Sequence, residues 1–256
     1  MPRYFLEVSY KGTNYSGFQV QENAVSIQAA VEKALNTLFR TGKGEIKLTG
    51  SSRTDAGVHA LQNFFHFDIP FDILQKQLYN INALLPADIA VTNIYPVKPD
   101  AHCRFDAIGR EYKYYIYQKK DPFLVDRAYY YPFRPDLARL NEVACLITGS
   151  ADFSAFSKRN TQVKTFVCNI RHSAWQKENG CFVYSITGNR FLRGMVRGLV
   201  GTMLKVTKTG GHMETFKQIL DSKDCTKADF SVPPHGLFLV KVDYGEGYFG
   251  QEAGNP

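Results

Sequence analysis

Along residues 4–94 the patterns run strand, helix, strand, strand, helix, strand, which predicts an α+β fold opening on a ferredoxin-like unit with a mainly antiparallel sheet. Three observations carry it. Tyr4, Leu6, Val8 and Tyr10 alternate with Phe5, Glu7 and Ser9, the period of a strand with one strongly apolar face. Behind Ser26, a suitable N-cap, Ile27, Val31, Ala34, Leu35 and Leu38 recur at helical spacing, with Gln28, Glu32, Lys33 and Asn36 elsewhere on the wheel. Extended runs at 46–49, 63–67 and 89–94 surround a second helix, marked by Ile73, Leu74, Leu78, Ile81 and Leu85 and ended by Pro86. A first domain is therefore expected over residues 1–100.

The loop between the runs at 46–49 and 63–67 is the most distinctive stretch of this domain. It reads Ser51-Ser52-Arg53-Thr54-Asp55-Ala56-Gly57-Val58-His59-Ala60 and sets a carboxylate two residues from a cation. A loop between sheet elements can present such groups to a ligand. Taken alone, it is read first as an Asx turn into Ala-Gly with Arg53 in water. An earlier loop carries Gly12 and Gly17 at the spacing of a phosphate-binding G-x-x-x-x-G motif, but Phe18-Gln19 follows where Lys-Ser or Lys-Thr is required.

Residues 101–256 are expected to form a second α+β domain. A polar stretch from His102 to Glu111 leads into an aromatic strand, Tyr112-Lys113-Tyr114-Tyr115-Ile116-Tyr117. Leu137, Leu140, Val143, Ala144 and Ile147 mark a helix stopped by Gly149, and strands are expected at 165–175 and 181–187. The next helix carries an apolar stripe of Phe191, Met195, Leu199, Val200, Met203 and Leu204, with Arg193 and Arg197 four residues apart on one face. Gly194, Gly198 and Gly201 recur along it. Each weakens a helix by about 1 kcal/mol relative to Ala, so something is expected to approach this backbone closely. A short helix at 215–220 and a strand at 237–242 follow. The tail, Gly245-Glu246-Gly247-Tyr248-Phe249-Gly250, matches G-x-G-x-x-G but leaves no room for the helix a dinucleotide site needs.

The chain is 44% hydrophobic and 21% charged, as in an ordinary globular protein. No apolar run reaches bilayer length and the start leads directly into a strand, so neither a membrane span nor a signal peptide is expected. Five cysteines without a C-x-x-C pair suit free thiols in the cytoplasm. The +7 charge fits a polyanion partner or simply a solvated basic surface. Fifteen Tyr and nineteen Phe could supply stacking surfaces as well as core. His59, His66, His102, His172, His212 and His235 show no metal-ligand spacing, and the serine-hydrolase elbow is absent, so neither metal nor cofactor is expected. What remains is a loop aspartate, arginines and tyrosines elsewhere, and a basic surface. A carboxylate beside guanidinium groups stays ionised and can serve as nucleophile or base.

Six ordered stretches resemble the tRNA pseudouridine synthase A family. They are Tyr10-Lys11-Gly12 through Gly17-Phe18-Gln19-Val20-Gln21; Ser26-Ile27-Gln28; Ser52-Arg53-Thr54-Asp55-Ala56-Gly57-Val58-His59-Ala60; Arg110-Glu111-Tyr112-Lys113-Tyr114; Asp152-Phe153-Ser154-Ala155-Phe156; and Phe191 through Gly201. The resemblance implies two ferredoxin-like domains side by side with an active-site cleft between them, a homodimer, and isomerisation of uridine in the anticodon stem-loop of tRNA without cofactor or metal. It makes Asp55 the catalytic aspartate, Tyr112 the tyrosine that stacks on uracil and can take the C5 proton, and Arg197 the partner of the aspartate. Arg53 would help to extrude and replace the target nucleotide. His59, Gln19, Arg110, Lys158 and Arg159 would join Arg53 and Tyr112 in binding the RNA, although for Lys158 and Arg159 a solvated surface is an equal reading. Two departures stand out. Ser52 occupies a position where the family commonly has Gly, and Ser157-Lys158-Arg159-Asn160-Thr161 replaces a usual Cys-x-Ser-Arg-Thr segment. The alternative, a catalytically silent RNA-binding protein on the same scaffold, has no need of the aspartate.

Overall fold

The computed structural model describes residues 1–42, 45–159, 163–208, 210 and 213–249. His212, Asn160, Thr161 and Gly250, the last closing the Gly-rich tail motif, lie outside the described residues. The fold is mixed α and β with mostly antiparallel strand pairing. The described residues group into two compact units, within 1–108 together with 239–249, and within 109–238.

In the first unit β1 (Arg3–Tyr10) is flanked by β3 (His59–Asp68) and β4 (Ile89–Val97), both antiparallel to it; β2 (Thr49–Gly50) pairs with β3. The helices are α1 (Ile27–Leu38) and α2 (Gln77–Leu84). Ser26 caps α1 as expected, its Oγ accepting from Ala29 N at 3.2 Å. Phe5, Leu6, Val8, Val31, Leu35, Phe64 and Phe65 form the interior.

Two elements depart from the sequence pattern. The run 46–49 contributes little strand because α1 takes its backbone: Asn36 bonds Ile46 N and O, Glu32 accepts from Leu48 N at 2.9 Å, and Gln28 donates to Leu48 O at 2.8 Å. Residues 28, 32 and 36 share one helix face, so a stripe that reads as solvent-facing replaces a β ladder. Helix α2 starts at Gln77 and not near Ile73. Tyr4 Oη, which donates to Asp72, accepts the Ile73 N–H and holds 72–73 outside the helix.

In the second unit β5 (Gly109–Tyr117) pairs antiparallel with β8 (Cys181–Gly188), which pairs antiparallel with β7 (Ile170–Glu178); the short β6 (Tyr129–Tyr130) runs parallel to β5. Helices α3 (Leu137–Thr148), α4 (Met195–Lys208) and α5 (Met213–Asp221) complete it. The last strand, β9 (Leu237–Asp243), returns to the first unit from residue 239 on and lies there beside β3. Asp136 caps α3 through Ala138 N and Arg139 N. Residues 165–169 do not belong to β7: Phe166 O accepts from Phe153 N and Cys168 N donates to Ala151 O, so this run pairs with 151–153. Helix α4 begins at Met195, after Gly194 with φ +75°, which leaves Arg193 before the helix and off the Arg197 face. Among the described residues no helix is long and apolar enough to cross a membrane.

Candidate active site

In the first unit the Asp55 loop is gripped by buried polar side chains at its root. Asn63, fully buried on β3, donates to Ser52 O at 2.8 Å and to Tyr10 Oη at 3.2 Å, and its Oδ1 accepts from Ser52 N at 3.3 Å. Tyr10 Oη reaches Thr54 Oγ1 at 2.8 Å, and Phe18 N donates to Thr54 O at 3.1 Å. Asp55 O accepts from Val58 N at 3.2 Å across Gly57, whose φ of +77° is the left-handed conformation that a residue with a side chain adopts only at a cost. The bend after Asp55 and the candidate site residue are therefore one piece of chain: the turn holds the carboxylate-bearing residue between fixed neighbours.

The 12–19 loop is built onto the same piece. A Cβ on Gly12 would lie 2.0 Å from Val58 O, so only glycine lets the two loops touch. His59 turns inward: it is 1% exposed and its Nδ1 accepts from Gly12 N at 3.0 Å, which locks one loop to the other. Gln19 and Arg53 are exposed and line a common cavity of about 290 Å³ with His102, Arg104 and Phe105.

In the second unit Tyr112 and Arg110 lie on β5 at alternate positions, on the face that continues into buried Tyr114 and Ile116. The Tyr112 ring meets Phe191 edge-on, centroids 5.0 Å apart, and Arg110 Nη1 donates to Asn189 O at 3.0 Å. Phe191 thus flanks Tyr112 as an aromatic wall, although the sequence pattern assigns it to a helical stripe. Arg197 stands in the first turn of α4 with Nε and Nη2 donating to Val232 O at 2.9 and 2.7 Å, and Nη2 also to Phe230 O at 3.2 Å. Tyr114 Oη donates to the next carbonyl, Pro233 O, at 2.7 Å. Burial holds the Tyr114 hydroxyl well above the usual tyrosine range, opposed by the Arg197 charge.

The glycines of α4 explain how the 229–232 segment gets there. A Cβ on Gly201 would fall 2.3 Å from Asp229 O, and one on Gly198 2.7 Å from the Phe230 ring. The close approach anticipated from the sequence is made by the chain itself, which delivers two carbonyls to Arg197. Lys158 N donates to Arg193 O at 3.0 Å, and Lys158 and Arg159 line a cavity of about 470 Å³ with Lys223 and Ser154.

The fold also gathers groups that look scattered in sequence. His66, His102 and Cys103 place one nitrogen or sulfur each within 4.8 Å of one another. The Cys103 thiol donates to Thr49 O at 3.1 Å, and Cys103 N donates to His66 Nδ1 at 3.3 Å. Burial, then His102, then Arg3 push His66 down to about 4, so it is neutral at neutral pH.

The profile described as tRNA pseudouridine synthase matches residues 7–106 and 143–245. The chain belongs to that family. A tRNA pseudouridine synthase A from Parabacteroides distasonis is 44% identical over 251 residues, 97% of this chain and 98% of the relative. The one from Porphyromonas gingivalis is 42% identical over 254 residues, covering 97% of this chain and all of the relative. The one from Staphylococcus saprophyticus is 36% identical over 256 residues, 99% and 95% of the two chains. Members of the tRNA pseudouridine synthase family are isomerases acting on uridine in tRNA. Of the residues singled out above, Gln19, Arg53, Asp55, His59, Lys158, Arg159 and Arg197 fall inside the matched spans, whereas Arg110 and Tyr112 fall between them.

Proposed function

We propose that this tRNA pseudouridine synthase isomerises uridines of the anticodon stem-loop, with Asp55 as the catalytic carboxylate, Tyr112 against the uracil and Arg197 as counter-ion to Asp55. The reading is supported most by one observation: the Arg53-Thr54-Asp55 loop, inside the family match, is held at Ser52 and Thr54 by Asn63, Tyr10 and Phe18. A group that must meet a reacting carbon benefits from such fixed placement. The proposal includes two ferredoxin-like domains, residues 1–100 and 101–256, with the reaction in a cleft between them, and a cytoplasmic homodimer that needs neither cofactor nor metal.

The target uridine leaves the stack, at a cost of a few kcal/mol offset by loop and aromatic contacts. Arg53 fills the space it vacates. Asp55 acts on the flipped nucleotide, the N1–C1′ bond breaks, uracil turns, and C5 bonds to C1′. The C5 proton then departs toward Tyr112 while N1 ends protonated, so no atom is gained or lost overall. Attack at C1′, attack at C6 and removal of the C2′ proton would each use the Asp55 carboxylate. Asp55→Asn should cut tritium release from C5-labelled uridine in tRNA at least about a thousandfold while preserving tRNA binding. An active variant would overturn the assignment and favour another base.

A further inference from the structure

The cavity beside Arg53 contains groups that the reaction above does not use. The turn after His102 is rigidly built. His102 Nδ1 accepts from Arg104 N at 3.1 Å, His102 O accepts from Phe105 N at 3.1 Å and Asp106 N at 3.0 Å, and Asp106 Oδ2 accepts from His102 N at 2.8 Å and from the Tyr248 hydroxyl. This well-bonded turn displays Phe105 at 75% exposure. The ring rests on the His102 imidazole, centroids 4.1 Å apart, with the Arg104 guanidinium carbon 5.9 Å from its centroid. A large apolar ring held out to solvent by a fixed turn contributes little to folding.

The surroundings define what would cover it. Arg53 and Arg104 line the cavity, and no carboxylate is among the described residues that do. Gln19 adds an exposed amide able to pair with a base edge. At about 290 Å³ the space lies at the small end of ligand sites, which run roughly 300–1,000 Å³, so it suits one nucleotide and not a helix. An exposed aromatic ring, flanking cations and an amide are the elements by which proteins hold unstacked RNA bases.

We propose that this cavity is a subsite for one unpaired nucleotide adjacent to the target uridine, its base stacked on Phe105 and its phosphate between Arg53 and Arg104. The proposal rests on the tRNA-modifying function above, because Arg53 lies two residues from Asp55 and so ties the subsite to the reacting nucleotide. It makes His102 a positioning residue that orients the Phe105 platform.

The test compares Phe105→Ala, Phe105→Trp and the wild-type protein, with unmodified tRNA transcript and a fully paired RNA duplex of the same stem as probes. Phe105→Ala should raise the Kd for tRNA about tenfold and leave duplex binding within about twofold, because a duplex offers no open base face. Phe105→Trp should bind tRNA like the wild type, with its new indole fluorescence quenched by tRNA and not by the duplex. Unchanged tRNA affinity in Phe105→Ala, or equal losses on both RNAs, overturns the subsite. Should Phe105→Ala melt early, the Trp quench decides alone, and an unquenched indole overturns it. Tritium release by the wild-type protein separates the two claims. An active enzyme with an indifferent Phe105 removes only the subsite, whereas an inactive one with a loop-selective Phe105 removes only the catalytic assignment.

Discussion

Asp55 sits on a loop whose backbone is held by side chains of neighbouring strands, whereas Arg197 sits in a helix and is itself held by backbone carbonyls of a neighbouring segment. The first arrangement depends on polar complementarity: Asn63 makes bonds to Ser52 and Tyr10, and Tyr10 passes the restraint to Thr54. The second depends on missing volume, because the carbonyls of Phe230 and Val232 reach Arg197 only along a helix face without side chains at Gly198 and Gly201. A loop without regular hydrogen bonding needs a buried network to be rigid. A helix is rigid already and needs only room for its partner.

If that contrast is right, one methyl group should do the most damage where the grip is steric. In an exposed helix Gly→Ala stabilises by up to about 1 kcal/mol. At Gly201 the added Cβ meets Asp229 O, so Gly201→Ala should instead destabilise by about 3 kcal/mol and displace the carbonyls that hold Arg197. Urea unfolding with a tRNA activity assay would show both, and a stabilised, active variant would break the comparison. The polar grip should fail when its central side chain is lost. Asn63→Ala strips the buried Ser52 N–H and carbonyl of their Asn63 partner and removes one of the bonds at Tyr10 Oη, so it should cost about 2–3 kcal/mol, with activity falling more steeply than stability alone explains.

A smaller effect sharpens the polar side of the contrast through pH. His66 titrates near 4 in the folded chain and near its ordinary 6.5 when unfolded, chiefly because it is buried. Between those values the unfolded state binds the extra proton, so stability falls as pH drops from 6.5 toward 4, by on the order of 2 kcal/mol. Melting temperatures across that window should decline in the wild type and decline less in His66→Gln.

Much of the scaffold was legible because burial imposes periodicity. The alternation in β1, the Ser26 cap and apolar stripe of α1, and the run from Leu137 to Ile147 each appear where the pattern puts them. The run at 46–49 misled because Gln28, Glu32 and Asn36 read as a solvated stripe; nothing local says that a polar side chain will bond another segment's backbone. Arg193 was drawn into α4 by spacing alone, although Gly194 in the left-handed region ends that continuity. Phe191, Asn63 and the Phe105 platform carried no signal of their role, since an aromatic or an amide reads alike in a core, a network or a site.

By itself the sequence determined the α+β element order and, through six ordered motifs, the family and the residues proposed for its chemistry. These are legible because apolar spacing and motif identity are properties of the chain read along its length. The tertiary structure alone decided that His59 faces inward to lock two loops, that the α4 glycines admit residues 229–232, and that Phe105 stands exposed beside Arg53. Those outcomes depend on which distant groups share a few ångströms of space, and hydrogen bonds and steric contacts reach no farther than that.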